Sequence, residues 1–157
     1  MLEAMKRLLL VSASLLLILF VGIQFFQPDK NISAPTQDDI FKQLDVPEEI
    51  QSQLIISCFD CHSNNTKYPW YSQVAPVSWL MNKHVVEGKK ALNFSEWGTL
   101  NKRKQISALS GVAEETEEGS MPLNSYLKMH KNAVLTDKTT KQIISWTDEA
   151  IEQIMDK

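Results

Sequence analysis

The sequence is short of several things. Of its 157 residues only two are cysteine, five are glycine and six are proline. Two cysteines exclude a disulfide-rich scaffold. So little glycine and proline exclude a collagen-like or low-complexity chain. There is no basic surplus: 16 Lys and Arg stand against 19 Asp and Glu, a formal charge of −3. A protein that neutralises nucleic-acid phosphates needs such a surplus, so no nucleic-acid partner is expected. Apolar–polar alternation of period two is missing along the chain, which argues against half-buried strands and for an all-α fold. What remains is ordinary globular composition, 43% hydrophobic and 22% charged, at a length that suits one domain.

The long apolar run is Leu8 to Phe26, interrupted only by Ser12, Ser14, Gly22 and Gln24 and preceded by Lys6 and Arg7. As a helix it reaches roughly 28 Å, the thickness of a bilayer core. A signal peptide shares the basic start and the apolar stretch. This run is longer than the usual signal core, and Gln24-Phe25-Phe26-Gln27-Pro28 lacks the small residues of a cleavage site. Retention as a membrane anchor is therefore favoured over cleavage. No cysteine lies nearby to carry a lipid. The basic flank stays inside. The expectation is a single-pass protein of the cell inner membrane with its C-terminal domain in the periplasm, or a periplasmic protein if the segment is removed. Residues 1–26 are thus anchor or signal segment. Residues 27–38, polar and aperiodic, read as a linker, and 39–157 as the domain. Beyond residue 26 the chain carries 14 basic and 18 acidic side chains. That net charge of −4 predicts no adhesion to anionic lipid by charge alone.

Both cysteines fall in one segment, Cys58-Phe59-Asp60-Cys61-His62. This is C-x-x-C-H, the attachment pattern of c-type haem. Two thiols three residues apart can reach the two vinyl groups of one porphyrin. The adjacent imidazole then lies under the iron, binding through Nε2 with its Nδ1–H held by a backbone carbonyl. Other readings are poorer. A thioredoxin-like C-x-x-C expects a βαβ context, whereas the upstream segment PEEIQSQLIISC is helical. Zinc would need a fourth ligand beside Cys58, Cys61 and His62, from His84 or His130. A structural disulfide across so short a loop would be strained. Export favours haem, because covalent attachment in bacteria takes place outside the cytoplasm.

The motif continues as Ser63-Asn64-Asn65-Thr66-Lys67-Tyr68-Pro69-Trp70-Tyr71. It leads through Val74-Ala75-Pro76-Val77-Ser78-Trp79 to His84-Val85-Val86-Glu87-Gly88-Lys89-Lys90. Leu92-Asn93-Phe94-Ser95-Glu96-Trp97 and Gly119-Ser120-Met121-Pro122 follow. Over roughly residues 45–150 this order resembles a family of small bacterial haem-binding domains marked by C-x-x-C-H-S-N-N-T. The resemblance implies a cytochrome c-like domain with one covalent haem c and its iron. It implies nothing about the physiological partner.

A cytochrome that only moves electrons has a sixth iron ligand. Met121 is the first choice, because a Met just before a proline in a stiff turn is a common axial ligand of c-type cytochromes. His84 is the alternative. It shares a helical face with Val77, Leu80, Met81 and Val85. His130 is expected to be solvated, and Met81 and Met129 to pack. Tyr68, Trp70, Tyr71, Trp79 and Trp97 could cover a haem face or simply form core. Tyr68 and Trp70 stand nearest the attachment site in sequence and are taken as cofactor contacts. Asn64-Asn65-Thr66 reads as turn chemistry. Glu114-Glu115-Thr116-Glu117-Glu118 is a solvated face or an acidic docking patch for a basic redox partner.

Pro47-Glu48-Glu49 opens a helix, in which Ile50, Leu54, Ile55 and Cys58 share a face. Further helices are expected over 77–91, over Lys102–Ala113 with Ile106, Leu109, Ser110 and Ala113 in phase, and after Thr136 as N-cap. The last carries Ile143, Thr147, Ala150, Ile151 and Ile154 on one stripe. A helix ending at the motif and a C-terminal helix match the cytochrome c plan, in which the two cross. The function expected is a membrane-tethered single-electron carrier, not an enzyme. The alternative is a haem-based sensor or peroxidase-like enzyme, its distal iron site open or facing His84.

Overall fold

The computed structural model describes residues 1–156. Among them there is no strand, only an isolated bridge between Ile32 and Asn65. The fold is all-α, as the missing alternation predicts. In chain order the helices are α1 (Leu2–Ile23), α2 (Ile40–Gln43), α3 (Glu48–Ser57), α4 (Phe59–His62), α5 (Val77–Ala91), α6 (Lys102–Glu117), α7 (Asn124–Met129) and α8 (Asp137–Asp156). Short 3-10 turns cover Trp70–Gln73, Phe94–Thr99 and Lys131–Ala133. The chain packs as two compact units.

Unit 1 comprises residues 1–30 and 67–84. Its α1 is long and apolar enough to cross a membrane and has no buried side chain. Just past the end of α1, the Gln24 side chain bonds both ways with the backbone of Ala75. It donates to the carbonyl at 3.1 Å and accepts from the amide at 2.9 Å. The Trp79 indole donates to the carbonyl of Phe26 at 2.6 Å. The Lys30 ammonium lies 5.7 Å from the centre of the Tyr68 ring.

Unit 2 comprises residues 31–66 and Val85 onward. Three of its helices, α2, α6 and α8, start where polar side chains take the free amides of the first turn. Asp39 accepts from Phe41 N at 3.0 Å, Asn101 from Lys104 N at 3.0 Å, and Thr136 from Thr139 N at 3.2 Å. One buried cluster joins Ile50 and Leu54 of α3, Leu109 of α6, and Ile143, Trp146, Ala150 and Ile154 of α8 with Phe94 and Trp97. The helix that leads into the motif therefore packs against the C-terminal helix. Trp97 is fully buried in this cluster, so of its two expected roles the structure assigns it to the core. Leu109 is fully enclosed at the α6–α8 contact. Leu109→Ala is expected to cost about 2–5 kcal/mol of stability, read as a lowered denaturation midpoint.

Some expectations shift. Residues 31–38 are not a free spacer: Asn31 donates to the Ser63 carbonyl at 2.7 Å and to Thr66 Oγ1 at 2.9 Å, and Gly98 N donates to the Asp38 carbonyl at 2.9 Å. Helix α6 runs four residues beyond Ala113, to Glu117. Ile55 points outward, and Ser57 takes the buried place, donating to the Ala133 carbonyl at 3.0 Å.

Candidate functional site

The haem motif begins where α3 ends. Cys58 closes α3 and leads straight into the single turn α4, which carries Cys61 and His62. Phe59 anchors that turn, stacked between Phe41 (centroids 4.9 Å apart) and Phe94 (5.2 Å). The Tyr126 hydroxyl lies 2.7 Å from the buried Asp60 carboxylate, with the Ile56 carbonyl 3.1 Å away. The loop after the motif uses the side chains of Ser63, Asn64 and Thr66. Ser63 donates to the Phe59 carbonyl at 2.7 Å and Thr66 to the Asp60 carbonyl at 2.7 Å. Asn64 accepts from Asn93 at 2.9 Å and donates to Glu96 at 3.1 Å. Asn64 and Asn65 thus belong to a bonded turn, and the turn fixes where α4 sits.

The His62 ring is half-buried, with Nδ1 3.0 Å from the carbonyl oxygen of Leu92. A carbonyl only accepts, so Nδ1 bears the proton and Nε2 keeps its lone pair. Burial lowers the His62 pKa, against the pull of the backbone groups of Leu92 and Gly88. Burial thus favours the neutral ring, whose edge is toward Phe94 at 6.3 Å between centroids. Leu92 reaches this position because α5 comes very close to the motif. At Gly88 an added Cβ would stand 2.6 Å from the Cys61 carbonyl oxygen.

Burial pushes the Cys58 thiol up to about 12, with Cys61 adding to the effect. It pushes Cys61 up to about 11, with the Asp60 carboxylate adding. Both are thiols at neutral pH. Disulfide exchange uses the thiolate, so burial of the two thiols disfavours it. Among the described residues no group of three or more His, Cys, Asp or Glu side chains is placed to hold a metal ion. The zinc alternative therefore lacks its ligand set.

A cavity of about 580 Å³ opens beside the motif, within the range of cofactor pockets. Cys58, His62 and Met121 all line it. Met121 is half-buried in the turn that follows α6. Gly119, at φ +69°, ends that helix in the left-handed conformation that favours glycine, and Met121 N donates to the Glu115 carbonyl at 3.1 Å. Much of the remaining wall is apolar, including Leu92, Phe94, Leu100 and Val112, while Lys89, Lys90 and Lys104 add positive charge. A nitrogen ligand, a thioether sulfur, a thiol, apolar walls and lysines for carboxylates fit a haem with its two propionates. The fold is that of the family whose model matches residues 18–149, described as a haem-binding domain.

This chain belongs to the haem-binding domain family. Comparison with characterised proteins and with solved structures gives no match. The family match begins inside α1, so the end of the apolar helix is part of the haem-binding domain as the family defines it.

The other candidate residues lie elsewhere. Cys61 is not among the lining residues; its backbone faces Gly88. Tyr68, Trp70 and His84 belong to unit 1 and do not line the cavity. Trp70 is 77% exposed and meets Tyr71 edge-on at 5.8 Å. Nearness to the motif in sequence, the reason for taking Tyr68 and Trp70 as cofactor contacts, does not carry them into its lining. His130, expected in solvent, stacks on Tyr126 at 3.9 Å and donates from Nδ1 to the Tyr126 carbonyl at 3.1 Å. Met129, expected to pack, is exposed. Sequence reasoning missed Gly88, Leu92 and the Asp60–Tyr126 pair. Only Gly88 left a signal, a glycine inside an otherwise good helix.

Proposed function

We propose that the chain is a membrane-anchored monohaem c-type protein that carries single electrons on the periplasmic side of the inner membrane. The observation that carries this reading is the meeting of Cys58, His62 and Met121 on one apolar cavity, with the Nδ1 proton of His62 committed to Leu92. His62 and Met121 would hold the iron, and Cys58 and Cys61 would form the thioethers. Bound haem would supply an iron that cycles between ferric and ferrous states.

The chain's own part would be to keep the His62 imidazole and the Met121 thioether in place through that cycle. The Leu92 carbonyl orients the imidazole, and the Pro122-backed turn carries the sulfur. Apolar walls keep water from the ring, and the lysines offset the propionate charge. Glu114, Glu115, Glu117 and Glu118 are all exposed, and Glu115 lines the cavity. They offer an acidic face on which a basic redox protein would dock. No bond-making chemistry is assigned, and the protein is read as a carrier rather than an enzyme.

The test is the visible spectrum of the purified full-length protein, made with haem maturation supplied. The ferric form is expected to be low-spin, with the weak red absorption band of an iron–thioether bond. Met121→Ala is expected to abolish that band, to open the ferrous iron to carbon monoxide and to lower the reduction potential, since methionine ligation raises it. An unchanged spectrum in the variant would assign the sixth position elsewhere. A high-spin parent that binds carbon monoxide would replace the carrier with a sensor or peroxidase-like protein.

A further inference from the structure

The segment from Lys67 to His84 differs in character from the rest of the chain. The part of the protein beyond residue 26 is acidic overall, yet this segment contains no Asp or Glu. It holds Tyr68, Trp70, Tyr71 and Trp79, two of the four tryptophans. Apart from Ala75, its apolar side chains are not fully buried. Trp70, Val77, Trp79 and Leu80 are exposed, as are Phe25 and Phe26 just past the end of α1. The expected helical face that included Val77 and Leu80 is therefore turned outward over its first turn.

The same segment is fastened to the point where α1 would leave a bilayer. Gln24 bonds both ways with Ala75, and the Trp79 indole donates to Phe26. These bonds bring residues 75–79 to the chain within three residues of the end of α1. An exposed indole body with its N–H bonded to backbone suits the boundary between headgroups and acyl chains, where Trp and Tyr concentrate. An apolar surface without carboxylates, carrying Lys67 and Lys83, suits the anionic face of a bilayer.

We propose that Tyr68–Leu80 is an interfacial membrane element, lying in the headgroup region of the leaflet from which α1 emerges, with Trp70, Val77, Trp79 and Leu80 against lipid. The inference rests on α1 being a retained anchor. It gives the aromatic string after the motif a role in meeting lipid. It also makes Gln24 a latch between anchor and interface element, a place no cleaved signal would fill.

The test uses full-length, haem-loaded protein in vesicles of phosphatidylethanolamine and phosphatidylglycerol. These are doped with a phospholipid bearing a photoreactive diazirine near its first acyl carbons. After illumination, labelled peptides are mapped by mass spectrometry. Residues 68–80 are expected to label several-fold above 102–117, and α1 to label as well. Trp70→Ser is expected to reduce labelling of 68–80 while α1 labelling stays. The double variant Trp70→Ser/Leu80→Ser is expected to reduce it further. Labelling confined to α1 overturns the interfacial element and leaves the anchor standing. Absence of label from α1 overturns the anchor, and this inference with it. Copy-to-copy cross-links through 68–80, without lipid label there, assign the surface to self-association and overturn it equally.

Discussion

Replacing His62 by alanine is expected to produce the largest loss of any single change. The low-spin spectrum should vanish, because the iron loses its nitrogen ligand, and less haem should be recovered per chain. The reasoning starts from the one bond that fixes the ring. Nδ1 lies 3.0 Å from the Leu92 carbonyl, so the tautomer is set before any iron arrives. Burial lowers the pKa of the imidazole, which favours the neutral form with Nε2 open to a metal. Alanine removes ligand and orientation together. The haem-free chain should be little affected, because one part-buried hydrogen bond contributes about 0.5–1.5 kcal/mol. The two readouts therefore separate. The pyridine haemochrome spectrum should report haem loss, while the melting curve of haem-free protein moves little. If His62→Ala kept the parent's haem content and spectrum, the imidazole would not be the proximal ligand.

How much of this was legible in the sequence depends on what kind of force did the placing. Helix α5 has the bounds its pattern predicts, 77–91, and of the expected α8 stripe Ile143, Thr147, Ala150 and Ile154 are buried while Ile151 is half-buried. Periodic burial writes itself into residue order. Backbone acceptors do not. Any residue offers a carbonyl, so nothing marked Leu92 as the partner of His62. Polar loops are equally mute, since QPDKNISAPTQD looks the same whether solvated or, as at Asn31, bonded to the motif loop. Helix α6 overran its predicted end because Glu114 to Glu117 continue a helix well without adding an apolar contact. Tyr68 and Trp70 are absent from the cavity lining for a different reason: nearness to the motif in sequence does not fix a residue's unit, and the chain leaves unit 2 at Thr66 and returns at Val85.

Gly88→Ala and Gly111→Ala make the same chemical change in two helices and are expected to act with opposite sign on the haem-free chain. Glycine inside a helix costs about 0.5–1 kcal/mol against alanine, so the substitution helps wherever space allows. Gly111, in α6, has nothing within 4 Å of where its Cβ would stand, and its variant should gain that amount. At Gly88 the Cβ would stand 2.6 Å from the Cys61 carbonyl oxygen and 3.1 Å from its carbon. These are backbone atoms that no rotamer change can move, so the end of α5 must retreat. Overpacking of this kind costs about 1–3 kcal/mol, which exceeds the helix gain. The retreat also draws Leu92 away from His62, because Leu92 N is bonded to the Gly88 carbonyl at 2.8 Å and the two move together. Gly88→Ala should therefore melt earlier and also recover less haem, with a weakened low-spin spectrum. Thermal melts of the haem-free proteins and haemochrome assays of the loaded ones check both effects. A Gly88→Ala protein as stable as Gly111→Ala, with full haem content, would mean that the close approach of α5 to Cys61 has no part in holding the proximal histidine.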